Sequence, residues 1–207
     1  MAVPSIPTYT GQQLEQIAAA HLQEHYPSLA LPIDVEYLVE KQGFDIREIP
    51  GIYALASVRA LPIYYKGIAA ICIDLDHSDR YPELARFTLA EELGHLLLHK
   101  PVFEDCSTLE RSIERYLELP AAYIDRMDRN ARYFGAAILV PERCLRDDLE
   151  DFLNRGNVKG FSTVNEARVW LAETLCRKYR VSSIMLGHRL RSAAFWDWSQ
   201  RLRERLA

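Results

Sequence analysis

Cysteine is scarce in this chain of 207 residues, and none of it is paired along the sequence. The four cysteines, Cys72, Cys106, Cys144 and Cys176, stand far apart with no C-x-x-C spacing. Scattered thiols exclude a zinc ribbon and a disulfide scaffold and suit a reducing, cytoplasmic compartment. Long apolar runs are missing as well. No segment has the length to span a bilayer, and the N-terminus, with Pro4 and Pro7 and no basic cluster, lacks a signal-peptide pattern, so no membrane role is expected. Charge of one sign is also lacking: 25 Lys and Arg face 29 Asp and Glu, for a net charge of -4. Nucleic acid or an anionic membrane as main partner would therefore need a local patch. Glycine-rich phosphate loops are absent, since Gly43, Gly51 and Gly67 stand singly between predicted strands, and nothing resembles a serine nucleophile elbow or a local cysteine-protease signature.

What is present is a chain of ordinary globular composition, 49% apolar and 26% charged, long enough to bury a substantial core. Thr10 opens a predicted helix to about Tyr26, with a stripe at Leu14, Ile17, Ala18 and Leu22, ended by Pro27. Asp34 caps a short second helix closed by Gly43. The period then changes. Phe44 to Ile49, Ile52 to Val58, Pro62 to Tyr65 and Ile68 to Asp74 read as the strands of a small meandering sheet of three to four strands. The last is apolar on both faces, which predicts a central strand. Beyond it the pattern is helical: about Arg80 to Lys100, Leu109 to Leu117, about Asp125 to Leu139, and Pro141 to about Asn154. Arg155 to Gly160 reads as a linker, dividing a domain over 1–154 from a C-terminal lobe over 161–207. In that lobe Val164 to Tyr179 and Ser183 to Arg191 flank a tight turn with Ser182 as N-cap, spaced like a helix-turn-helix, before an aromatic tail with Phe195, Trp196 and Trp198. A packed helical lobe explains the same spacing without DNA.

The segment Phe87 to His99 carries the chemistry. It has the form of the zinc-protease helix H-E-x-x-H with glutamate in place of the first histidine. Glu91, His95 and His99 are four residues apart and share a helix face, and Glu92 stands beside them. Hydrolysis by a metal needs a few protein ligands, an open position for water and a base for its proton. Glu91 and His95 supply ligands, Glu92 the base, and a third ligand must come from downstream, where Asp128 is the best candidate. A Glu-Glu pair on a solvated face, with His95 as a boundary residue, accounts for the same letters.

At this point the chain resembles the ImmA/IrrE-type metallopeptidases. Their pattern joins F-T-x-A-H-E-L-G-H-x-x-L-H to a later E-x-x-A-N-x-F-A-A-x-L-L-M-P, whose leading glutamate is the third ligand. Phe87 to His99 matches everywhere except Glu91. Asp128 falls on the ligand glutamate, and Ala131, Phe134, Ala136, Leu139 and Pro141 match. Leu31 to Glu36 resembles the P-v-d-V-e segment before the family's sheet, and Arg86 falls on a basic position before the motif.

The resemblance implies an α+β, zincin-like fold, mainly helical with a small sheet, plus a C-terminal helical lobe. It implies one divalent ion held by Glu91, His95 and Asp128, with Glu92 as catalytic base and His99 supporting the site. Two carboxylates with one imidazole move the preference from zinc towards manganese, while the affinity order keeps zinc first. The implied function is metal-dependent cleavage of a partner protein, a helix-turn-helix transcriptional repressor, in a stress response. The departure at Glu91 motivates a second reading, a protease-like module that binds such a partner, as in a toxin–antitoxin pair, without cutting it. A third makes the C-terminal lobe a DNA reader through Arg177, Lys178, Arg180, Arg189 and Arg191, which could equally be a solvated helix face.

Overall fold

A computed structural model of the chain describes residues 6–56, 59–65, 68–103, 109–154 and 160–206. Its elements run α1 (Gly11–His25), α2 (Val35–Lys41), β1 (Phe44–Ile49), α3 (Ile52–Ala56), β2 (Ala60–Tyr65), β3 (Ile68–Asp74), α4 (Leu75–Arg80), α5 (Pro82–Leu98), α6 (Lys100–Phe103) and α7 (Leu109–Glu118). They continue through α8 (Ala121–Leu139), α9 (Glu142–Asn154), α10 (Val164–Tyr179), α11 (Ser183–Leu190), a 3₁₀ turn (Ala193–Phe195) and α12 (Trp196–Leu206). The result is an α+β chain, mostly helical with one small sheet. The chain forms two compact units, residues 1–10 with 34–135, and residues 11–33 with 136–207. No helix among the described residues is long and apolar enough to cross a membrane.

The first unit is built on the sheet. Asp34 caps α2 by accepting from Tyr37 N–H at 2.9 Å, and Gly43 at φ +76° turns the chain into β1. β3 is central, as its two-sided apolar pattern requires: Ala69 through Ile73 are all buried. The strand order is β1-β3-β2, with β2 antiparallel to β3 and β1 parallel to it, Phe44 opposite Ala69 and Ile49 opposite Asp74. This corrects the meander. A parallel neighbour cannot be reached by a hairpin, so the chain crosses from β1 to the far side of β3 before turning back. Pro62 is tolerated because β2 lies at an edge.

The segment from Ile52, expected as a strand, is instead the short helix α3. Asp74, at the end of β3, accepts from Tyr53 N–H at 2.8 Å, which satisfies one of the free donors of the first helical turn. Val58, the far end of that expected strand, and the Lys66-Gly67 turn lie outside the described residues. The motif helix begins later than expected. Pro82 restricts Tyr81 to non-helical backbone, so α4 ends at Arg80 and α5 starts anew with Pro82 in its first turn. α5 is buried on nearly every side, from Arg86 to Leu98. A small apolar cluster of Ile6, Val102, Leu119 and Met127 also belongs to this unit, with Arg126 Nη1 donating to Ile6 O at 3.4 Å.

The second unit gathers α1 with the C-terminal helices. Leu14, Ala18 and Leu22 of α1 are buried, and so is Glu15, whose carboxylate takes both Nη groups of Arg189 on α11, the Nη2 bond at 2.7 Å. Arg189 Nε donates to Val140 O at 3.2 Å. Thr163 caps α10 and Ser182 caps α11, through Glu166 N–H and Met185 N–H. Arg180 ends α10 in the left-handed region, φ +49°, so the tight turn stands where expected. The aromatic tail is not extended: Trp198 is buried within α12, its Nε1 donating to Leu149 O at 3.3 Å, while Trp196 is 60% exposed. Of the basic residues expected around the turn, Arg189 is buried on Glu15, Lys178 is paired with Asp148, and Arg177, Arg180 and Arg191 are exposed. The expected linker lies largely outside the described residues, which omit 155–159.

Candidate functional site

Within the first unit, α5 and the part of α8 up to Gly135 cross in close contact and bring the motif residues together. Gly94 makes this possible. A Cβ there would stand 3.0 Å from Ala131 Cα and 3.1 Å from Ala131 O; one at Gly135 would stand 3.0 Å from both Ala90 C and Glu91 N. With side chains that small at the crossing, the turn of α5 carrying Glu91, Glu92 and His95 faces the turn of α8 carrying Asp128 and Arg132.

His95 Nε2 lies 3.6 Å from Asp128 Oδ1, so the expected imidazole ligand and the expected third ligand do meet. Glu91 takes a different partner. Its Oε1 accepts from Arg132 Nε at 2.9 Å, and Arg132 Nη2 lies 3.6 Å from Asp128 Oδ2. One guanidinium thus spans both carboxylates. Glu92 points inward, 8% exposed, and its Oε2 has no hydrogen-bond partner among the described residues. His99, just past the end of α5, is fully buried with neither ring nitrogen bonded among the described residues, and its ring centroid is 5.2 Å from that of His95.

Electrostatics follow from this burial. Glu92 is pushed up to about 8 by desolvation, then by the nearby Glu91 and Asp128 carboxylates, so it is largely protonated at neutral pH. Burial depresses His95 to about 3, aided by His99 and Arg132, and His99 to about 4, so both imidazoles are neutral. Glu91 and Asp128 are both raised by desolvation, with Arg132 opposing the rise in each. The core of the site is therefore a protonated acid and two neutral rings, and its polar rim is Glu91, Arg132 and Asp128.

A divalent ion does not fit these residues as they stand. Among the described residues no three His, Cys, Asp or Glu side chains form a group that could hold one. Of the expected ligands, His95 and Asp128 are together, while the Glu91 carboxylate is engaged by a cation already. Sequence reasoning missed Arg132, Gly94 and Gly135. For Arg132 a signal existed: it stands four residues after Asp128, one helical turn on, where the resembled pattern has asparagine.

Comparison with known proteins adds the following. The family model for the IrrE N-terminal-like domain, Peptidase_M78, matches residues 71–191. A search of curated proteins found no match. Among solved structures, a Mycobacterium tuberculosis transcriptional regulator is similar at 15% identity and a TM-score of 0.48, over 86% of this chain and 55% of that one. The chain thus spans about half the length of that regulator.

Proposed function

The chain belongs to the family of the IrrE N-terminal-like domain, a peptidase family, and from that membership we propose that it is a protease-like interaction module that binds a partner protein without cutting it. The observation that supports this is the Arg132 guanidinium between two of the expected ligands, bonded to Glu91 Oε1 at 2.9 Å and 3.6 Å from Asp128 Oδ2. A zinc hydrolase needs three protein ligands aimed at one point and an open fourth position. Here His95 and Asp128 lie 3.6 Å apart, while the Glu91 carboxylate is bonded to Arg132. The partner, by resemblance, is a helix-turn-helix transcriptional repressor of a stress response, met in the cytoplasm.

The test is incubation of the purified protein with purified candidate repressors, with and without added zinc or manganese. The expected outcome is a stable complex in which both chains keep their intact mass. Repressor fragments that depend on the added ion would overturn the reading.

One observation favours a second reading, metal-dependent endopeptidase action. Glu92 is a buried carboxyl with a free Oε2 beside His95, the placement expected of a base. In that reading Glu91, His95 and Asp128 hold one divalent ion, zinc before manganese, with His99 in support. Glu92→Gln would then abolish fragment formation and leave partner binding in place. Under the first reading the same substitution changes neither.

A further inference from the structure

Two of the polar positions at which the motif helices depart from the resembled pattern, 91 and 132, meet each other in space. Position 91 holds glutamate where the pattern has histidine, and position 132 holds arginine where it has asparagine. Their side chains are bonded, Arg132 Nε to Glu91 Oε1 at 2.9 Å. The same guanidinium lies 3.6 Å from Asp128 Oδ2. We propose that Glu91 and Arg132 are a compensating pair, in which the Arg132 guanidinium is the resident cation of the site, and that reverting both residues uncovers a latent site for a divalent metal ion.

Charge and geometry both support the pairing. A second carboxylate in place of a neutral imidazole adds one negative charge to a half-buried cluster, which is costly without a counter-ion. Arginine restores the count. Its planar fork presents several donors in fixed directions, so a single side chain can serve carboxylates on two different helices, which a lysine point charge does less well. The Arg132 side chain is 60% exposed while those of Glu91 and Asp128 are 17% and 25% exposed. A bond from so exposed a cation to one acid would be weak. Bridging two acids that are themselves largely removed from water is what holds it.

Each single reversion leaves a mismatch. With Glu91→His alone, Arg132 remains on Asp128 and repels an incoming ion from the third ligand. With Arg132→Asn alone, two adjacent carboxylates lose their shared counter-ion. Only the double change, Glu91→His with Arg132→Asn, leaves two imidazole-type and carboxylate donors free together.

This inference rests on the interaction-module reading, and the two fail separately. The experiment is elemental analysis of wild-type protein, both single variants and the double variant, each purified without chelator or affinity nickel and then dialysed against zinc. The wild type is expected to retain essentially no zinc and the double variant about one equivalent. A wild type that retains about one equivalent overturns the proposal, and so does a folded double variant that retains none. A thermodynamic cycle over Glu91→Gln, Arg132→Gln and the double glutamine variant gives a second readout that needs no metal. A double variant melting no lower than either single one is expected, and additive losses overturn the pairing. If the wild type is metal-free and still cleaves a repressor, the interaction-module reading falls and the compensating pair stands.

Discussion

Glu92 is held as a neutral acid by its surroundings, and this gives the fold a pH dependence of calculable sign. Its folded value is about 8 against an ordinary 4.5. The native state therefore binds the proton more tightly than the unfolded chain does, and the stability contributed is fully present below the ordinary value and lost as pH rises through about 8. His95 and His99 have the opposite sense, being depressed from 6.5 to about 3 and about 4. They contribute stability that is present above 6.5 and lost as pH falls towards those depressed values. Between pH 6.5 and 8 His95 and His99 are silent and Glu92 titrates. Glu92→Gln is expected to abolish a loss of about 2 kcal/mol that wild type suffers across that window, read by urea unfolding at several pH values. Equal slopes for both proteins would refute a protonated Glu92. At this scale the sequence was informative about type and spacing: Glu91, Glu92, His95 and Asp128 could all be singled out from one helix motif and one partial match. Arg132 carried only half a signal, its place one turn after Asp128, because its bond to Glu91 depends on a carboxylate 41 residues away on another helix.

Among the elements, the α5–α8 crossing has the sharpest consequence. Alanine at a helical glycine ordinarily gains about 1 kcal/mol in propensity. At Gly135 the added Cβ would meet only backbone, Ala90 C, Ala90 O and Glu91 N, at 3.0 to 3.1 Å. Backbone of a buried helix does not yield as the end of a flexible side chain does, so overpacking of about 1–3 kcal/mol outweighs the propensity gain. Gly135→Ala is expected to lower the unfolding midpoint, and Gly94→Ala to do so less, since one of its contacts is the Phe134 ring edge. A rise in midpoint for Gly135→Ala would mean that the two helices separate freely. Most helices, the caps and the central strand were legible because each rests on local signals: Asp34, Ser182 and the apolar run Ile68 to Ile73. The sheet order was not, because a parallel β1–β3 pair leaves no mark in either strand alone. Nor was α3, whose apolar residues fit both periods and whose deciding partner, Asp74, lies 21 residues further on.

At the scale of the whole molecule, α1 is far in sequence from the helices it accompanies. Its buried stripe, Leu14, Ala18 and Leu22, belongs to the unit that also holds residues 136–207. Each large apolar side chain fully withdrawn from water contributes about 1.5–3 kcal/mol. The Glu15–Arg189 pair joins α1 to α11, and both side chains are almost fully buried, 8% and 2% exposed. Breaking such a pair from one side costs about 3–5 kcal/mol, because the remaining charge is left without a partner. Glu15→Ala is therefore expected to destabilise the chain severely, whereas Glu15→Leu with Arg189→Met, which removes both charges, should recover most of the loss. The same reasoning bears on the expected lobe over 161–207. A fragment 136–207 lacks Glu15 and the α1 stripe, so it should show little cooperative unfolding by circular dichroism alone and regain it when a peptide covering 11–33 is added. Cooperative folding of the fragment without the peptide would mean that the lobe's own aromatic core, Tyr179, Phe195 and Trp198, suffices. Marginal stability makes the first outcome the expected one, since a net balance of about 5–15 kcal/mol for an entire domain leaves little room to lose a buried ion pair and a helix together.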